Sequence, residues 1–192
     1  VLLMVGAGDL SPYLAAAHRA ARPSIRKMLV WNRSPAKAKV MVETLRRTGV
    51  DSEAVSDLEP AVRRADIVSC CTASTAPLVQ GRWLKDGAHL DLVGGFTPDM
   101  RECDDEAVRR ARLFVDSRMF AIDQPGDLGD PIRRGVIGRD KVEADLFELC
   151  GQGYAVDRKA SDITLYKNGG GGHLDLFTAL FIRERLNLQD PE

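Results

Sequence analysis

The chain has 192 residues, 44% hydrophobic and 29% charged, with a formal net charge of -1. That composition fits one soluble globular domain plus an appendage. No apolar run is long enough to span a bilayer, the N-terminus lacks the charged region of a signal peptide, and no basic block marks a nucleic-acid partner. We therefore expect no membrane and no nucleic acid among its partners, and a cytoplasmic location. The chain opens on an apolar strand without a methionine, which leads us to expect sequence upstream of it.

The first elements organise the rest. Val1-Leu2-Leu3-Met4-Val5 has no polar face, the mark of a fully buried parallel strand. Gly6-Ala7-Gly8-Asp9-Leu10-Ser11 follows, and a helix opens on Pro12. Glycines at that spacing let the backbone approach a pyrophosphate, and the helix points unpaired N–H groups at it. Ser11 stands at the third fingerprint position, where Gly or Ala is usual. The competing account is a tight turn in another α/β protein, with methyltransferases foremost.

Lys27 to Trp31 reads as a second strand, ending in Asn32-Arg33-Ser34-Pro35. NAD-binding versions of this fold carry an acidic residue about twenty positions past the glycines, for the ribose 2′-hydroxyl. No Asp or Glu stands there. Arg33, with Ser34 and Lys37, suits a 2′-phosphate instead, so NADP(H) is the preferred cofactor and NAD(H) the alternative.

A helix from Pro35 to Thr48, a strand from Val50 to Val55 and a helix capped by Ser56-Asp57 come next. Asp66 to Cys71 gives a fourth strand, ending in Thr72-Ala73-Ser74-Thr75-Ala76-Pro77, either a ligand-touching rim or a hydroxyl-rich turn. His89 to Val93 is a fifth strand, followed by a helix from Asp104 to Arg110 and a strand from Leu113 to Asp116. The alternation predicts a doubly wound parallel sheet of about six strands with its loops on one rim.

From Ser117 the rhythm breaks. Asp123 to Pro131 reads as a turn-rich linker, Val142 to Cys150 as a short helix, and Asp162 to Lys167 as a strand. Asn168 and Gly169 to Gly172 then lead into an apolar helix from His173 to about Ile182, a glycine run that suits an anion or a hinge. The expected division is a dinucleotide-binding domain over 1–120 and a returning segment over 121–192. Cys70, Cys71, Cys103 and Cys150 show no metal spacing and read as buried reduced thiols. His18 and His89 read as structural. His173 and Asp175, two apart, do not share a helix face, so no metal is expected.

Four stretches together resemble the ornithine cyclodeaminase/mu-crystallin family. They are Gly6-Ala7-Gly8 with His18, Val30 to Pro35 with Lys37-Ala38, Asp91 to Glu102, and Thr164 to Asn168. The resemblance runs from Val1 to about Ile182. It implies homodimers with a Rossmann domain set between an N-terminal segment and a last helix, which together form a substrate and dimerisation domain. This sequence resembles only the Rossmann domain and the returning segment. The part that supplies basic groups for a substrate carboxylate is not in it.

Cyclodeaminases of the family resemble one another in an Asp after Gly-Gly or Gly-Ala, acting near the substrate amine. Phe96 stands there in this chain, and Phe96 to Glu102 looks more like the ketimine reductase branch. That branch reduces pyrroline-2-carboxylate or piperideine-2-carboxylate to proline or pipecolate. The final motif departs from the commoner form: Asn168 follows Lys167 where Ser is usual, and Leu174 precedes Asp175 where an acidic residue is usual.

The resulting expectation is hydride transfer from NADPH to a C=N carbon beside a carboxylate, on an imino- or amino-acid substrate. The residues expected against the cofactor are Gly6, Ala7, Gly8, Asp9, Leu10, Asn32, Arg33, Ser34, Lys37, Thr72, Ala73, Ser74, Val93, Gly94, Asn168 and Gly169. Asp99 is the in-chain candidate for a proton source, unless it caps the helix near Asp104. Lys167 is the candidate cation for the carboxylate or the cofactor, unless it is an exposed strand end. The alternatives are NAD-dependent ornithine cyclodeamination, an NADP-dependent binding protein without catalysis, and an amino-acid dehydrogenase.

Overall fold

A computed structural model describes residues 1–151 and 153–186. Among them, eight parallel strands form one sheet: β1 Leu2–Val5, β2 Met28–Trp31, β3 Ser52–Ala54, β4 Ile67–Cys70, β5 His89–Leu92, β6 Arg112–Val115, β7 Val142–Asp145 and β8 Thr164–Lys167, in the order β3-β2-β1-β4-β5-β8-β6-β7. The helices are α1 Ser11–Ala21, α2 Pro35–Arg47, α3 Leu58–Arg64, α4 Asp105–Arg110, α5 Arg118–Ala121, α6 Gly126–Arg133, α7 Leu146–Cys150 and α8 Gly172–Arg185.

The first two strands, β1 and β2, carry apolar residues at every position because both faces of the sheet are covered there. Leu2 and Met4 pack with Ala15 of α1 and with Ala38, Met41, Val42 and Leu45 of α2. Leu3 and Val5 pack in the opposite layer, with Ala61, Val62, Ala107 and Val108. The chain order reverses direction at β1 and β4, whose carboxyl ends diverge into the crevice where such sheets bind ligands.

The second half of the chain departs from expectation. The sheet has eight strands where about six were expected, because the pattern does not stop at residue 120: β7 and β8 both join it, and β8 pairs with β5 on one side and β6 on the other. The division at residue 120 therefore does not separate one sheet from another. The expected linker holds α6, which runs close against the preceding loop. A Cβ on Gly126 would lie 2.4 Å from the Met100 carbonyl oxygen and 2.6 Å from that of Pro98, so glycine alone admits this approach. Val142 to Cys150 is not one helix but β7 followed by α7, with Asp145 and Glu148 forming a capping box between them.

Candidate functional site

At the β1–β4 fork, Gly6 takes φ +113°, and a Cβ there would sit 2.7 Å from the Cys71 carbonyl oxygen. Only glycine meets both demands. Ser11 explains the variant third position. Fully buried, its hydroxyl donates to the Gly6 carbonyl at 2.9 Å and stands 2.9 Å from Cys71 Sγ, so it bolts the turn to α1. No side chain caps the first turn of α1, which leaves its N-terminus open to an anion. A Cβ on Gly8 would meet nothing within 4 Å. The protein itself does not need glycine there, whereas a ligand lying against the backbone does.

Above this turn lies a cleft of about 580 Å³ that brings together Gly6, Ala7, Gly8, Asn32, Arg33, Ser34, Lys37, Thr72 and Ala73, with Trp31, Cys71 and Leu78. Asn32 fixes the two halves of the cleft to each other. Its Oδ1 accepts from the Ala7 amide at 3.1 Å, and its Nδ2 donates to the Ser34 carbonyl at 3.1 Å. Arg33 and Lys37 are exposed and form no ion pair among the described residues. Ser34 precedes α2 without capping it through its side chain. Burial, partly offset by the hydrogen bond with Ser11, pushes the Cys71 thiol up to about 11, so it stays protonated on the cleft floor.

The other expected contacts lie outside this cleft. Asp9 lines the adjoining groove with Gly8 and Lys37, and Leu10 is an exposed helix cap. Ser74 is buried and turned inward, its hydroxyl donating to the Ala76 carbonyl at 2.7 Å. Val93, Gly94, Asn168 and Gly169 sit further along the same rim, where Val93 bonds the Cys70 carbonyl and Asn168 that of Leu92.

Lys167 corrects an expectation. It is wholly buried, not an exposed strand end and not a free cation for a ligand. Its ammonium stands 3.2 Å from Asp127 Oδ2, which is also fully buried, as an ion pair without hydrogen-bond alignment. It donates to the carbonyls of Gly95 at 2.5 Å and Leu92 at 3.4 Å. Asp99 does not cap a helix, since Asp104 caps α4 itself by accepting from the Ala107 amide at 2.9 Å. It lies exposed on the loop after β5, where the Thr97 hydroxyl, donating at 2.5 Å, holds its carboxyl below the usual range.

Sequence reasoning missed the buried acids behind this rim. Glu102 Oε1 accepts from the Thr72 amide at 2.6 Å and its hydroxyl at 2.9 Å, and Oε2 accepts from the amides of Gly94 at 2.8 Å and Gly95 at 3.3 Å. Burial, reinforced by the Asp127 charge, pushes the Glu102 carboxyl up, against the pull of the Thr72 bonds and of Lys167. Asp116, also buried, accepts from the amides of Gly169 at 2.9 Å and Gly170 at 3.1 Å and so holds the glycine run. Each works through partners distant in sequence, and an isolated acid beside a strand gives no sign of that.

His18 and His89 are bonded to neighbouring strands, through Asp91 Oδ2 at 3.1 Å and the Thr164 hydroxyl at 2.8 Å. Cys70 and Cys103 are buried and Cys71 is half-buried, but Cys150 is exposed, contrary to its reading as a buried thiol. No cluster of three metal-ligating side chains occurs among the described residues, and no helix among them is long and apolar enough to cross a membrane.

Comparison with known proteins places this geometry among relatives. The profile of the ornithine cyclodeaminase/mu-crystallin family matches residues 1–190. Protein SAR DEFICIENT 4 of Arabidopsis thaliana is 44% identical over 189 residues, covering 96% of this chain and 58% of that protein. The Delta(1)-pyrroline-2-carboxylate reductase of Paracoccus denitrificans is 44% identical over 181 residues, covering 94% of this chain and 57% of that enzyme. Among solved structures, the Thermococcus litoralis Delta(1)-pyrroline-2-carboxylate reductase in complex with NADH and L-proline superposes with a TM-score of 0.90 at 30% identity, over 95% of this chain and 57% of that one. The chain thus spans little more than half the length of these relatives.

Proposed function

Since the chain belongs to the ornithine cyclodeaminase/mu-crystallin family, we propose that it serves an NAD(P)H-dependent oxidoreductase that reduces a cyclic ketimine, pyrroline-2-carboxylate or piperideine-2-carboxylate, to proline or pipecolate. The observation that carries this reading is the cleft over the β1–β4 fork. Its floor is a glycine turn at an uncapped helix N-terminus, and the open space at Gly8 fits a pyrophosphate pressed against the backbone. Relatives named as pyrroline-2-carboxylate reductases, one solved with NADH and L-proline, support the substrate class.

A nicotinamide cofactor bound there would supply the hydride. The chain's residues bind and orient it. Gly6, Ala7 and Gly8 take the pyrophosphate, Arg33, Ser34 and Lys37 the ribose and its 2′-phosphate, and Thr72 and Ala73 lead towards the nicotinamide end. We prefer NADPH because three polar groups, two of them cations, stand at the end of β2 and no acid lines the cleft with them, although the T. litoralis relative was solved with NADH.

The Thr97 hydroxyl holds the exposed Asp99 carboxyl below its usual range and so favours the charged form. A carboxylate in that state suits a substrate nitrogen that arrives already protonated, whose charge it would stabilise beside the reacting carbon. The apolar Phe96 ring, 64% exposed on the same loop, offers no second acid or base for an amine-releasing step and speaks against cyclodeamination.

The last helix, α8, has no buried residue and exposes Leu176, Phe177, Leu180, Phe181 and Ile182. That surface supports its reading as a segment returning to the substrate and dimerisation domain of a homodimer.

Calorimetric titration of NADPH and NADH into wild type and Arg33→Ala tests the cofactor assignment. The expected result is at least about tenfold tighter NADPH binding, roughly 1.4 kcal/mol, lost in Arg33→Ala. Equal affinities that Arg33→Ala leaves unchanged would overturn it. A panel of cyclic ketimines offered to the full-length protein tests the substrate class.

A further inference from the structure

We propose that Glu102 is a positioning residue for hydride transfer, a buried clasp that sets the spacing between the two loops flanking the nicotinamide end of the cleft. The inference rests on the reductase reading above. In a sheet of this topology the adenosine lies over β1–β3, and the nicotinamide lies over the loops after β4 and β5. Those loops are the ones that Glu102 holds. One carboxylate oxygen takes the amide and hydroxyl of Thr72 after β4, and the other takes the amides of Gly94 and Gly95 after β5. The loops touch so closely that a Cβ on Gly94 would lie 2.1 Å from the Thr72 carbonyl oxygen.

The clasp is itself held from behind. The Glu102 amide donates to Asp127 Oδ1 at 2.7 Å, Asp127 pairs with Lys167, and Lys167 donates to the Gly95 carbonyl. These side chains are fully buried and stand behind the rim, so they do not touch the reacting atoms. Four donors converge on two acceptor oxygens, an arrangement only a carboxylate satisfies. A glutamine presents one oxygen and one NH₂ group, which would turn donors against donors at one of the two loops. Burial and the Asp127 charge push the Glu102 carboxyl up, and the Thr72 bonds and Lys167 pull it back towards the charged form.

The test uses the full-length protein and Glu102→Gln, with three readouts: amide exchange over residues 70–76 and 92–96, NADPH affinity, and ketimine reduction with NADPH and with NADPH deuterated at the transferred position. We expect exchange in both loops to rise by about tenfold or more, kcat to fall by about tenfold or more, and NADPH affinity to stay within about threefold. The primary isotope effect should grow, because misplacement slows the hydride step itself. General destabilisation would not move that effect.

If wild type reduces the ketimine and Glu102→Gln matches it in exchange, kcat and isotope effect, the clasp is refuted and the reductase reading stands. If wild type reduces no ketimine, the functional reading falls and this inference with it. Should Glu102→Gln fail to fold, Thr72→Val, which deletes the hydroxyl bond to Glu102 and a long one, 3.4 Å, from the Ser74 amide, must lower kcat with the same growth in isotope effect. An unchanged isotope effect there overturns the proposal.

Discussion

Replacing Lys167 by Met probes the structure where sequence and fold disagree most. Both Lys167 and Asp127 have 0% side-chain exposure, so no water can solvate the aspartate once its partner is gone. Breaking a buried pair from one side costs about 3–5 kcal/mol, because the surviving charge keeps its desolvation cost and loses its counter-charge. The lost donations to the carbonyls of Gly95 and Leu92 add to that. For a chain of this length, each kcal/mol moves Tm by about 2–4 °C, so Lys167→Met should melt roughly 6–20 °C early. Urea unfolding followed by the fluorescence of Trp31 and Trp83 measures the loss as a shift in midpoint at constant slope. Adding Asp127→Asn should recover part of it, since an asparagine oxygen can still accept from the Glu102 amide while the stranded charge disappears. A loss below about 1 kcal/mol, or a double variant worse than the sum of the singles, would refute the buried pair.

The two glycines of the first turn should separate folding from binding. Gly8→Ala meets no protein atom and should leave Tm within about a degree while abolishing dinucleotide binding by calorimetry, whereas Gly6→Ala strains a positive φ against Cys71 and should lower both. A Gly8→Ala protein that binds normally would remove the pyrophosphate from that turn. Acid should weaken the fold through His89. Burial, with His18, Arg158 and Arg22 nearby and against the pull of Asp91, lowers its pKa to about 4, while an unfolded chain takes up that proton near 6.5. Its stabilising contribution is therefore complete above pH 6.5 and is lost as pH falls towards 4, by roughly 3 kcal/mol over that window. His89→Gln, which can still bond Thr164, should flatten the dependence in melts from pH 7 to 4, and an unchanged slope would rule His89 out.

The strands β1 and β2 were legible because burial on both faces writes itself as an unbroken apolar run, and β4 and β5 because each keeps a short apolar stretch broken by one or two polar residues. The glycine turn and the end of β2 were legible for a related reason: their chemistry is carried by neighbours in sequence. Residues 123–131 misled because Gly, Asp and Pro signal turns locally, yet Gly126 is there for close packing and Asp127 for Lys167. Tertiary partners overrode local propensity. β7, with the sequence Val-Glu-Ala-Asp, buries only alternate residues at the sheet edge and ran visually into the helix behind it. Nothing near Lys167 announces that its partner is an aspartate on α6, or that Glu102 reaches two loops at once. Such roles belong to the assembled rim and not to any short stretch.

The central place of β8 bears on how the chain folds as it is made. Strands β1 to β5 can zip together as they leave the ribosome, and β6 can pair with β7, but these two groups share no strand contact until residues 164–167 arrive between β5 and β6. Until then the nascent chain presents two raw edges, each a template for wrong pairing. A stop codon anywhere ahead of residue 164 would leave that gap permanently open, so even late truncations should be cleared by quality control and should not accumulate as shortened dinucleotide-binding proteins.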